Sequence, residues 1–241
     1  MKSETRVRAA TPPRAAASRP GTLAKRERIV QAALRHFADR GFHEARIEDL
    51  ARELGIAKGS IFQHFGSKAG LFLETYRSAV RTFPAYLDAP EAVLDKGFFE
   101  TLRYWLIRTE HLVREDYIPY RVSLLGNYGT DLRIRREINR FLVSEDPYGT
   151  AAFVKMGVER GEVREDLDRA MVVSILDWTM ERFQDALLTE ELDPGLFHRP
   201  GQTLEKKEER VRQFLEVLRG AVGKPQAQKP KARRSRSREG C

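Results

Sequence analysis

From Thr22 to Phe83 apolar residues recur at helical spacing and no proline interrupts them. Ile29, Ala33 and Phe37 share one face of a first helix, with Thr22 placed to cap it and Gly41 placed to end it. Ile47, Leu50, Ala51 and Leu54 keep the i, i+3, i+4, i+7 pattern of a short second helix stopped by Gly55. A third runs from about Lys58 to His64. Gly66 and Ser67 break it, and Ser67 is placed to cap a fourth helix that begins at Lys68 and passes through Leu71, Phe72 and Tyr76.

Pro84 and Pro90 mark a boundary, beyond which the spacing predicts helices over about 91–114, 117–125, 131–143 and 148–160. Residues 167–188 are apolar on more than one face (Met171, Val172, Ile175, Leu176, Trp178, Phe183 and Leu187 among them), the pattern of a helix buried on several sides. Leu204, Val211, Phe214, Leu215, Leu218 and Val222 give an amphipathic last helix. No stretch alternates as a strand would. The expected class is all-α, with a small helical domain over 23–83 and a larger one over 84–223.

Charge sharpens that division. The chain of 241 residues carries a net charge of +8, but residues 84–223 hold twenty basic side chains against twenty-six acids. The basic excess lies in residues 22–83 and in two segments rich in Pro, Ala, Ser and Arg, residues 1–21 and 224–241, read as a flexible arm and a disordered tail. A polyanionic partner for the N-terminal part follows from that asymmetry. The one cysteine, Cys241, leaves no internal disulfide and no zinc cluster, as in a cytosolic protein. No run reaches the roughly 18–20 apolar residues that a membrane helix needs.

Two short helices joined at Gly55 form the plan of a helix-turn-helix over 46–65, in which the first braces on phosphates and the second enters the major groove. The groove, about 12 Å wide, admits one helix, and only its outer face reaches base edges. Ile56 and Ile61 are the inward pins, which leaves Lys58, Gly59, Ser60, Phe62, Gln63 and His64 to face outward. Gln63 is the best base reader, because its amide matches adenine N6 and N7. Lys58 and Lys68 are placed for phosphates, with the first amides of the fourth helix beside them. Gly59 weakens its helix by about 1 kcal/mol relative to alanine, which close approach to DNA would explain.

The block Arg28–Phe72, with ALRHFADRGF and IEDLARELGIAKGSIFQHFGSKAGLF, resembles the N-terminal domain of TetR-family regulators over some 45 residues in order and spacing. Three positions depart from the family pattern: Arg46 and Ala57 stand where Ser or Thr is usual, and Phe62 where tyrosine is frequent. The resemblance implies that 84–223 is a dimerisation and effector domain, its last two helices (about 167–188 and 204–222) pairing with their copies in a four-helix bundle. Two recognition helices about 34 Å apart would then read a pseudo-palindromic operator. It also implies an apolar cavity for a small molecule, for which Trp105, Tyr117 and Arg121 are the candidate lining. Effector binding would tilt the fourth helix and release DNA, making the protein a repressor, or an activator of the same fold, in a bacterial cytoplasm and on the nucleoid when bound to DNA.

Nothing in the residues supports catalysis, a cofactor or a metal. The five histidines have no ligand spacing, and neither a GxxxxGK nor a G-x-S-x-G motif is present. A nonspecific architectural DNA binder acting through its basic ends is the other alternative, and a salt series separates it from a sequence reader.

Overall fold

The computed structural model describes residues 20–84 and 88–225, so most of the expected arm and tail lies outside the described residues. Eleven α-helices run through the described residues: α1 (Pro20–Glu44), α2 (Ile47–Leu54), α3 (Lys58–Phe65), α4 (Lys68–Val80), α5 (Glu91–Leu94), α6 (Phe98–Glu115), α7 (Tyr117–Tyr128), α8 (Leu132–Glu145), α9 (Thr150–Glu159), α10 (Arg169–Leu188) and α11 (Leu204–Val222). A single 3₁₀ turn spans Glu190–Leu192. The only β pairing among the described residues is an isolated bridge between Val163 and Gly223.

Side-chain caps start five of the described helices. The hydroxyl or carboxylate of Ser67, Asp116, Asp131, Asp168 and Thr203 accepts a backbone amide of the first turn it precedes. One expected helix is broken. The span expected over 91–114 divides after Leu94, and α6 starts afresh at Phe98, whose amide donates to the Glu162 carboxylate at 2.6 Å. That cap comes from 64 residues away, so no local pattern announces it.

Two apolar cores form, and they do not divide at the prolines. The first joins Ile29, Phe37, Leu50, Ile61, Phe72 and Tyr76 of α1–α4 to Val122, Leu124 and Leu125 of α7 and Ile138 and Phe141 of α8. The second joins Phe98, Leu102 and Leu106 of α6 to Val154 of α9, Val172 and Leu176 of α10, and Val211, Leu215 and Val222 of α11. The N-terminal helices thus continue into α7, which packs on both α1 and α4. Gly126 makes this possible: a Cβ there would stand 2.4 Å from the Tyr76 ring and 3.0 Å from Ile138.

Where α7 meets α10, the contact is polar. Tyr120 donates to Asp185 at 3.1 Å, Tyr128 donates to its other oxygen at 2.8 Å, and Asn127 donates to Glu181. Arg135 of α8 holds the Asn127 carbonyl. Burial pushes the Tyr128 phenol up to about 12 and raises Tyr120 and Tyr76 further. Burial likewise raises the Asp185 carboxyl above its usual range, partly offset by the hydrogen bonds from Tyr128 and Tyr120. Glu181 is raised in the same way by burial and by the Asp185 charge. The two apolar bodies are therefore linked across a hydrogen-bonded seam.

Gly126→Ala should lower stability by about 1–3 kcal/mol, because the Tyr76 ring cannot yield without opening the first core; a thermal or urea melt measures it. Asp185 is 4% exposed, and its folded-state pKa lies above its unfolded value. The native state then binds that proton more tightly, so the carboxyl contributes most at acid pH and loses that contribution as pH rises through the folded pKa. Asp185→Asn should raise the melting temperature at neutral pH, with the difference shrinking as pH is lowered.

Candidate nucleic-acid interface

An eight-residue helix has little stability of its own, so α3 must be held by what it buries. Ile61 is its only fully buried residue, at 1% exposure, and Ile56, Phe62 and Phe65 press against the same core. Gly55 makes the turn in the left-handed conformation (φ 65°, ψ 34°), its amide donating to the α2 carbonyls of Ala51 and Arg52. The buried His36 ties α1 to the entry of α2 through its Nε2, 3.0 Å from the Arg46 carbonyl. Arg40 and Arg52 both reach Asp49 at 3.0 Å and fix α2 from the outside.

Of the six residues expected to face outward, Lys58, Gly59 and Gln63 are exposed, while Ser60, Phe62 and His64 are half-buried. The correction is geometric. At 100° per residue six positions of a two-turn helix cannot share one face, and Phe62 packs against the first core. Ala57, at the α3 N-cap, and Arg46, at the α2 N-cap, are exposed and make no side-chain cap. No neighbour lies within 4 Å of a Cβ built on Gly59, so the protein's own packing does not require glycine there.

Beside α3 lies an open groove of about 380 Å³ lined by His43, Glu44, Ala45, Arg46, Ile47, Glu48, Lys58, Phe62 and Lys68. Arg46, Lys58 and Lys68 converge on it from three elements. Neither lysine hangs free. Lys58 is ion-paired with Glu48 and lies 5.4 Å from the Phe62 ring centre. Lys68 donates to the His43 carbonyl at 2.8 Å and lies 5.0 Å from the Phe42 ring centre. Partial burial holds the Lys68 ammonium below its usual pKa, against the pull of Glu44 and Glu48. The Lys58 hydrogen bond holds the Glu48 carboxyl below its own. Sequence reasoning missed His36 and Glu48. Glu48 lies ten residues before Lys58, in a different helix, and only the turn at Gly55 brings them together.

The candidate effector residues are dispersed. Trp105 sits against the second core, its ring 4.5 Å from that of Phe153. Tyr117 and Arg121 belong to α7, and Tyr117 is exposed. A second crevice of about 200 Å³ is lined by Val154, Val158, Arg164, Glu165, Leu167, Arg169 and Val172 and includes none of the three.

Residues 29–75 match the family described as bacterial regulatory proteins, tetR family. This part of the chain is a TetR-type DNA-binding domain. It is 27% identical to the HTH-type transcriptional repressor AcnR of Corynebacterium glutamicum over 173 residues, 71% of this chain and 86% of that protein. In structure it is similar to a putative tetR-family regulator from Shewanella sp. PV-4, with TM-score 0.60, 16% identity, and 83% of this chain and 98% of that one covered. It is also similar to the regulator FadR of Bacillus subtilis in complex with stearoyl-CoA, with TM-score 0.57, 19% identity, and 80% and 96% covered. These relatives are transcriptional regulators, with repressors among them, and not enzymes. No described helix is long and apolar enough to cross a membrane, and no group of metal-ligating side chains forms among the described residues.

Gly59→Ala should raise thermal stability, by at most about 1 kcal/mol, since the added methyl meets nothing and favours the helix. It should also weaken binding to duplex DNA. A stabilised variant with unchanged DNA affinity would show that the glycine is not there for DNA.

Proposed function

We propose that this TetR-family regulator is a ligand-responsive repressor that reads a pseudo-palindromic operator as a homodimer. The observation that carries the reading is the exposed Gly59 and Gln63 face of α3, flanked by a groove into which Arg46, Lys58 and Lys68 converge. A helix presenting one amide and no bulk fits the major groove, and the cations beside it suit the two phosphate backbones. Lys58 and Lys68 position the protein, Gln63 reads a base, and Ser60 and His64 stand at the edge of the same face.

The homodimer is supported by unpartnered apolar surface on the last two helices. Met171 and Trp178 on α10 are 53% and 64% exposed, and Val217 on α11 is 71% exposed. A second copy would cover them through 167–188 and 204–222 and set the spacing of the two α3 helices. Response to an effector is supported by the polar seam. Helix α7 shares its core with α1 and α4 but holds α10 through hydrogen bonds, so a small molecule that prefers one arrangement of the seam would move the reading heads relative to the dimer helices.

Selection of binding sites from a random duplex library tests the proposal. The protein should enrich two inverted half-sites with centres separated by whole helical turns, and Gln63→Ala should relax preference at one base pair per half-site, a loss of about 1–3 kcal/mol of discrimination. Enrichment of no sequence, with binding governed by salt alone, would overturn it.

A further inference from the structure

Lys58 stands at the start of α3, where a recognition helix first meets a phosphate backbone, yet its ammonium is already paired within the protein. Glu48 reaches across from the first turn of α2 to ion-pair with it, and the Phe62 ring lies under it at 5.4 Å. Both side chains remain about half exposed. The pair is therefore open to competition from an external anion. The other anion in the groove is Glu44, which faces Lys68, and Lys68 already donates to the His43 carbonyl. No other charged residue lines the groove besides Arg46. Glu48 is thus a carboxylate set among three cations on the surface where a polyanion would dock. It is an unfavourable charge for duplex binding unless it has a task.

We infer that Glu48 is a specificity-determining residue that withholds Lys58 from DNA phosphates, so that sequence-independent contact is weakened. This rests on the reading of α3 as the DNA-recognition helix. Nonspecific binding is almost wholly electrostatic, and each lysine that neutralises a phosphate adds one counterion release to it. With Lys58 paired internally, a duplex must break that ion pair before it gains the contact. A duplex that seats α3 fully in the groove, with Gln63 on its base, offsets the exchange. A random sequence, with only phosphates to offer, does not. The Glu48–Lys58 pair lowers the background affinity against which an operator must be distinguished.

The test uses the full-length protein and a random-sequence duplex titrated over a salt series. Glu48→Gln should tighten binding by about two- to fivefold at roughly 100 mM salt. It should also steepen the slope of log affinity against log salt by about 0.9, the signature of one more phosphate contact. The same change made in a Lys58→Ala background should give neither effect, because there is no lysine to release. A gain that persists without Lys58 would mean that Glu48 acts only as a repelling charge, and no gain in the parent would mean that the pair does not compete with phosphate; either overturns the inference. If Lys58→Ala and Gln63→Ala both leave duplex binding untouched, the reading of α3 itself fails. Unchanged melting curves and circular dichroism for each variant confirm that folding is not what is being read.

Discussion

The burial of Ile61 is the contact on which the proposed DNA-reading surface depends. Helix α3 is two turns long and carries a glycine, and its N-cap is an alanine that supplies no side-chain hydrogen bond. Its orientation comes almost entirely from one fully buried side chain and three half-buried neighbours pressed on the core of α1, α2 and α4. Everything exposed on α3 inherits its position from that packing. The Phe37–Phe72 and Phe42–Phe72 edge contacts, each with ring centres 5.1 Å apart, give the core beneath α3 a defined shape. Placing a recognition surface on so short a helix works only because the body under it is rigid.

That body is larger than the N-terminal domain. Because a glycine at 126 lets α7 lie directly on the Tyr76 ring, α1 to α4, α7 and α8 share one apolar core. The second core, with α10 and α11, meets the first through tyrosines, carboxylates, an asparagine and an arginine, beside apolar contacts from Val113 and Leu188. Apolar cores move as units and resist partial opening, whereas a seam of hydrogen bonds can exchange partners. The molecule therefore has two apolar bodies with a polar seam between them.

Much of this was legible in the sequence, and what was not has a common cause. The helix-turn-helix was readable because its determinants are local: Leu50 and Ala51 before Gly55, Ile61 after it, and Ser67 as a cap. The class and the run of helices followed from periodicity. The break before Phe98 was missed because its cap is supplied by Glu162, and His36 and Glu48 were missed because their partners lie on other elements. The polar seam did leave a signal. Asp177, Glu181 and Asp185 recur every fourth residue on a largely apolar helix, which aligns three acids on one face, but the α7 partners (Asn127 of Glu181, Tyr120 and Tyr128 of Asp185) could be assigned only from the fold. Of the candidate effector residues, Trp105 packs on the second core while Tyr117 and Arg121 lie on α7, a division that aromatic spacing along the chain does not reveal.

The central claim is that α3 enters the major groove with residue 63 toward the bases. A DNA-cleaving chelate attached through Gln63→Cys, in a background where the lone cysteine is replaced by Cys241→Ser, reads this directly. The account predicts cleavage confined to two clusters on one face of the duplex, separated by whole helical turns, and none from the same chelate carried at Gln213 on α11. Cleavage spread evenly along the duplex, or equal from both positions, would contradict it.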